Sequence, residues 1–107
     1  MLKDNQKYNI ASGSTQDILT SSTYINNPQS NYYIRLVIAN NTASDKCTIS
    51  LYNADGDGVV ECYYARNIII PNGVSLIITD DFYIPSGKIV VKSESGAIDV
   101  NVQIVRE

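Results

Sequence analysis

From Ile98 to Ile104 the chain alternates apolar and polar residues without a break, Ile98-Asp99-Val100-Asn101-Val102-Gln103-Ile104. That is the period of a strand with one face in a core and the other in water. Tyr33 to Ala39 repeats the pattern, with Ile34, Leu36 and Ile38 on one face and Arg35 on the other, and Cys47-Thr48-Ile49-Ser50-Leu51 repeats it again. Asp55-Gly56-Asp57-Gly58 supplies residues tolerant of positive φ, and Val59 to Arg66 follows as a return strand, so the pattern predicts a hairpin. Ile68-Ile69-Ile70 runs into the turn Pro71-Asn72-Gly73, Val74 to Thr79 makes the next strand, and Phe82-Tyr83-Ile84 leads into Pro85-Ser86-Gly87. Lys88 to Lys92 and Ile98 to Val105 complete the series, with Gly96 marking the turn between them. No helix of ordinary length fits this spacing. Short strands with turns about every ten residues predict an all-β antiparallel sandwich, immunoglobulin-like or a small jelly roll. Its expected core is Ile34, Leu36, Ile38, Ile49, Leu51, Ile98, Val100, Val102 and Ile104.

The pattern is weaker near the start. Residues 1–31 are poor in large apolar side chains and rich in Asn, Ser, Thr and Gln, whereas residues 32–107 are dense in Ile, Val, Leu and Tyr. The shift predicts a polar N-terminal arm, residues 1–31, joined to a sandwich core, residues 32–107. Within the arm, Lys7 to Ile10, Asp17 to Thr20 and Thr23 to Ile25 suit short edge strands that need a neighbour to lie on. An arm with so little apolar surface does not offset its own ordering entropy, about 1–2 kcal/mol per residue for the backbone. Tyr8, Ile18, Leu19 and Tyr24 are therefore expected to anchor it on an adjoining subunit.

Composition narrows the chemistry. The 107 residues suffice for one domain with a small core, and histidine is absent. Without imidazole, general-base and transition-metal constellations lose their commonest member, and no nucleophile motif replaces it, so catalysis is not expected. No cofactor is expected either. Charged residues make up 18% and the net charge is -3, which disfavours both a phosphate backbone and an anionic bilayer as partners. Met1 to Lys7 lacks the apolar run of a secretory signal and no stretch reaches the length of a membrane span, so the expectation is a soluble chain that is not exported.

Four local features compete with blander readings. Asn53-Ala54-Asp55-Gly56-Asp57-Gly58 matches the first half of a calcium loop, but Tyr64 stands where the bidentate glutamate belongs and Glu61 comes three residues early. A hairpin turn wants the same Asp and Gly residues. Cys47 and Cys62 lie on the two arms of that hairpin, and a turn centred on Gly56 sets them diagonally, so two small buried hydrophobes are expected rather than a disulfide. Asn40-Asn41-Thr42 fits a glycosylation sequon, a match common by chance. In the pairs Tyr32-Tyr33 and Tyr63-Tyr64 adjacent side chains point to opposite faces, so one of each pair must lie outside. Outward Tyr33 and Tyr63 suit an interface or a carbohydrate platform.

The stretch Tyr33 to Thr42 followed by Cys47-Thr48-Ile49-Ser50-Leu51-Tyr52 resembles a pattern found in small structural proteins of tailed bacteriophage virions, where a strand ends in an Asn-rich turn and a second alternating strand follows. Ile68-Ile69-Ile70-Pro71-Asn72-Gly73, then Phe82 to Ile89, then the terminal strand from Ile98 continue the likeness over about the last two-thirds of the chain; the arm has no counterpart in it. The resemblance implies a β-sandwich subunit of a capsid, neck or tail. The expectation is a non-enzymatic virion protein, a capsid decoration or head-tail accessory subunit, homo-oligomeric and in contact with other virion proteins. Such a protein is assembled in the host cytoplasm. The alternative is a carbohydrate- or cell-surface-binding module, calcium-assisted through Asp55 and Asp57.

Overall fold

The computed structural model describes the backbone of residues 2–20, 32–82 and 87–106, and the side chains of residues 5–18, 33–79 and 87–104. The described residues form eight strands: β1 (Leu2–Ile10), β2 (Thr15–Thr20), β3 (Tyr32–Asn40), β4 (Cys47–Ala54), β5 (Val60–Ile70), β6 (Ser75–Phe82), β7 (Lys88–Ser95) and β8 (Ile98–Arg106). They form two four-stranded antiparallel sheets, ordered β1-β8-β3-β6 and β2-β7-β4-β5. First and last strands are neighbours and the chain crosses repeatedly between sheets. This is the order of a jelly roll, which decides between the two sandwich types expected.

The alternating strands build the core as their period requires. Ile34, Leu36, Ile38, Ile49, Leu51, Ile98, Val100, Val102 and Ile104 are all buried, joined by Ile10, Ile18, Cys47, Ile70, Ile89 and Val91. Ile34, Leu36 and Ile38 sit level with Ile104, Val102 and Val100 across the β3–β8 ladder, so two alternating strands present one continuous apolar sheet face. Truncating Leu36 to Ala removes about 2–5 kcal/mol.

The predicted β4–β5 hairpin forms, and its turn is closed by one side chain. Asp55 Oδ1 accepts from the Asp57 and Val59 amides at 2.9 Å each, while its backbone carbonyl accepts from Gly58 at 3.1 Å. This is the turn role expected of Asp55. The register sets Cys47 opposite Ile70 and Asn53 opposite Cys62, leaving two free thiols at opposite ends of the ladder. Cys47 is buried, but Cys62 is exposed, which corrects the expectation of two buried hydrophobes. β5 carries Val59-to-Arg66 and Ile68-to-Ile70 patterns as one strand because it is bulged: Asn67 takes φ 53°, and its amide donates to the buried Ser50 hydroxyl at 3.0 Å. Asn tolerates that left-handed conformation where β-branched residues do not.

The separation of an arm from the core is corrected for residues 2–20. β1 pairs with β8 over nine register positions, and β2 pairs with β7. Both are edge strands, as the weak pattern suggested, but their neighbours belong to the same chain. Among the described side chains of β1, Tyr8 packs against the core and Ile10 lies within it. A strand held mainly through its backbone needs few apolar residues, which is why composition made it look detached.

Candidate functional site

Sheet order gives the sandwich two flanks. On one, β1 and β2 run to the Ala11–Ser14 turn; on the other, β5 passes through Pro71-Asn72-Gly73 into β6, closed by the Val74 amide donating to the Pro71 carbonyl at 3.2 Å. The described β1–β2 flank is polar, with Asn5, Gln6, Lys7, Asn9, Thr15 and Gln16, and Asp17 bridged to Lys88 at 3.1 Å. The β5–β6 flank is the reverse. Every large exposed apolar side chain among the described residues lies on β5 or β6, in the segments entering them, or on β3 beside β6: Val59, Val60, Tyr63, Tyr64, Ile69, Val74, Ile77 and Tyr33. Ile69 and Ile77 are each 56% exposed, so the exposed apolar residues concentrate at the β5–β6 side of both sheets.

Local geometry explains the exposure. An edge strand has only one laddered side, and the β4–β5 pairing shifts register three times, so side-chain alternation along β5 is interrupted. Tyr63 and Tyr64 are consequently both exposed, at 40% and 46%. At least one of this pair is expected to lie outside, and the irregularity puts both there. Tyr63 is also held in place: its ring meets Tyr52 edge-on at 5.6 Å, and the Arg66 guanidinium lies 4.7 Å from its centroid. Burial raises the Tyr64 phenol above its ordinary pKa, with Cys62 contributing further, and burial likewise raises that of Tyr52.

The expected interface residues divide. Tyr33 and Tyr63 are exposed on the apolar flank, on different sheets. Tyr8 is partly buried against its own core. Ile18 is buried to 1% exposure at a bulge in β2, so it is no anchor on another subunit; the core of its own chain consumes it. Leu19 pairs through its backbone with Ile89 and its side chain lies outside the described residues, as does all of Tyr24. Sequence reasoning missed Val59, Val60, Ile69, Val74 and Ile77. The run Ile68-Ile69-Ile70 did carry the signal, because three consecutive strand residues cannot all face one core.

Other candidate sites dissolve on inspection. Asn40 uses its amide internally: Nδ2 donates to the carbonyls of Asp45 at 2.7 Å and Ile70 at 3.0 Å, and Oδ1 accepts from the Thr42 amide and hydroxyl. That network ties the β3–β4 loop to the end of β5 and leaves the sequon a structural device. Among the described residues, the exposed tyrosines are divided, Tyr33 on the first sheet and Tyr63 and Tyr64 on the second. A shallow cleft of about 340 Å³ on the first sheet is lined by Lys7, Tyr8, Val37, Ala39, Asp99 and Asn101, of which only Tyr8 is aromatic.

No protein-family model matches the chain, and no curated protein matches it. Among solved structures, a chain of the Bacillus endospore appendages, which form a novel family of disulfide-linked pili, is similar at TM-score 0.49 and 16% identity, over 95% of this chain and 85% of that one. The CBM22-1 xylan-binding domain of Paenibacillus barcinonensis Xyn10C is similar at TM-score 0.43 and 13% identity, over 92% and 85%. Both are β-rich domains, as this chain is. The chain itself is an all-β, two-sheet antiparallel sandwich.

Proposed function

We propose that this chain is a non-enzymatic structural subunit that acts through subunit contacts, and that it belongs to a tailed-phage virion as a capsid decoration or head-tail accessory protein. One observation carries the assembly role: the exposed apolar residues gather on the β5–β6 flank while the opposite flank is polar. Burying such side chains yields about 25 cal/mol per Å² removed from water, the main favourable term in association. The Tyr63 ring, already positioned by Tyr52 and Arg66, loses little freedom on contact. The virion assignment rests on the resemblance of Tyr33 to Tyr52 and of the later turns to phage structural proteins. The assembly reading is preferred to the carbohydrate-binding alternative because Asp55 Oδ1 is engaged in its turn and the exposed Tyr33 and Tyr63 lie on different sheets.

Sedimentation velocity of the purified protein tests the assembly role. Self-association is expected, and Ile69→Ser or Ile77→Ser should abolish it while leaving the melting temperature near the parent value. A strictly monomeric protein that also fails to bind particles would overturn the reading. Particle reconstruction with density for the chain tests the virion assignment.

A further inference from the structure

We propose that the first sheet grows from subunit to subunit, β6 of one copy pairing antiparallel with β1 of a second copy; this rests on the assembly reading above and names its partner and its edge. Strand direction makes the joint available. In a four-stranded antiparallel sheet the two edge strands run in opposite directions, so a second copy set beside the first without turning over presents its β1 antiparallel to β6. Repetition of such a head-to-tail contact builds an open chain or a ring, not a two-fold dimer.

Regularity singles out this sheet. The β1–β8 and β3–β6 ladders keep one register throughout, whereas β2 is bulged at Ile18 and β5 shifts three times. Bulged edges resist strand addition; straight ones invite it. Neither β1 nor β6 contains proline. The rows Lys3–Val105–Tyr33–Asp81 and Lys7–Asn101–Val37–Ile77 run level across the sheet, so the two edges also span the same height.

Charge and side-chain pattern favour the pairing and choose its register. The charged residues of β6 are the acidic Asp80 and Asp81, while β1 holds Lys3 and Lys7 with Asp4 between them. A level continuation sets Asp81 opposite Lys3, but it also sets Asp80 opposite Asp4 and Ile78 opposite Gln6, which breaks the apolar row. Shifting by two residues sets Asp80 opposite Gln6, Ile78 opposite Tyr8, Leu76 opposite Ile10 and Ile77 opposite Asn9, with Asp81 diagonal to both lysines. Ile78, Leu76 and Tyr8 already pack on the core and Ile10 lies within it, so the junction extends the apolar face of the sheet across the subunit boundary.

Cross-linking tests the register. In a Cys62→Ser background, Ile77→Cys and Asn9→Cys proteins are mixed and oxidised; a disulfide-linked heterodimer is expected, with little homodimer from either protein alone. A chain carrying both substitutions should give a ladder of multimers. Asp81→Lys should weaken association about three- to tenfold, and adding Lys3→Asp and Lys7→Asp in the same chain should restore it. Circular dichroism and melting of each variant confirm folding. Association that persists with no Ile77–Asn9 cross-link and no charge rescue overturns the β6–β1 joint and leaves the assembly reading standing. Absence of self-association overturns the joint, and the assembly reading falls with it when the protein also fails to bind particles.

Discussion

Gly87 and Gly13 share a backbone conformation, φ +84° and +80°, but not an environment. A Cβ at Gly87 would collide with the Ala54 carbonyl oxygen, whereas one at Gly13 meets nothing within 4 Å. Gly13→Ala should therefore cost about 1–2 kcal/mol, the left-handed strain alone. Gly87→Ala should cost clearly more because backbone must move. Equal urea midpoints for the two variants would contradict the close approach. Alkaline titration probes burial in the same local way. Burial raises the Cys47 thiol and the Tyr52 phenol above their ordinary values of 9.0 and 10.0. Both groups therefore lose their protons more readily when unfolded, so stability is undiminished below those values and falls as pH rises past them. The melting temperature should decline above about pH 9, and Tyr52→Phe should flatten the upper part of that decline. A decline identical to the parent's would remove the phenol from the account.

At the scale of elements, β1 and β2 are where stability and composition part company. β1 is almost wholly polar, yet it covers β8 along its length and delivers Ile10 to the core. Removing residues 1–10 should unfold the sandwich, since it strips β8 of a laddered neighbour and leaves its polar backbone groups unpaired. Ile18→Ala should cost about 2–5 kcal/mol, as for any large buried aliphatic. Guanidinium denaturation followed by circular dichroism measures both. A truncated protein that keeps the parent's midpoint would restore the picture of a detachable arm. β5 shows the converse, where bulges spare a strand from edge pairing and turn its apolar residues outward.

For the molecule as a whole, topology governs folding speed. The first strand lies against the last, and apart from the β4–β5 hairpin each sheet joins strands distant in sequence, so loop-closure entropy is met before most contacts form. Refolding from denaturant should take milliseconds to seconds in a stopped-flow experiment, as for other non-local β folds; completion within tens of microseconds would be inconsistent with this order. The same sandwich arrangement places polar β1–β2 and apolar β5–β6 on opposite flanks, an asymmetry suited to directional assembly.

By itself the sequence determined the all-β class, the antiparallel sandwich, the hairpin through Asp55 and nine core positions. Each follows from local rules: period-two alternation and the φ demands of turns. Tertiary structure alone decided the jelly-roll order, the membership of β1 and β2, the core places of Ile10, Ile18 and Ile70, and the gathering of exposed apolar residues on one flank. Tyr33 and Tyr63 were legible as outward residues, and the run Ile68-Ile69-Ile70 held the signal for Ile69; their companions Val60, Val74 and Ile77 were not legible. The reason is physical. Alternation tells which residues share a face of a strand, but which faces meet, and which edges stay open, depends on backbone pairing between strands far apart in the chain.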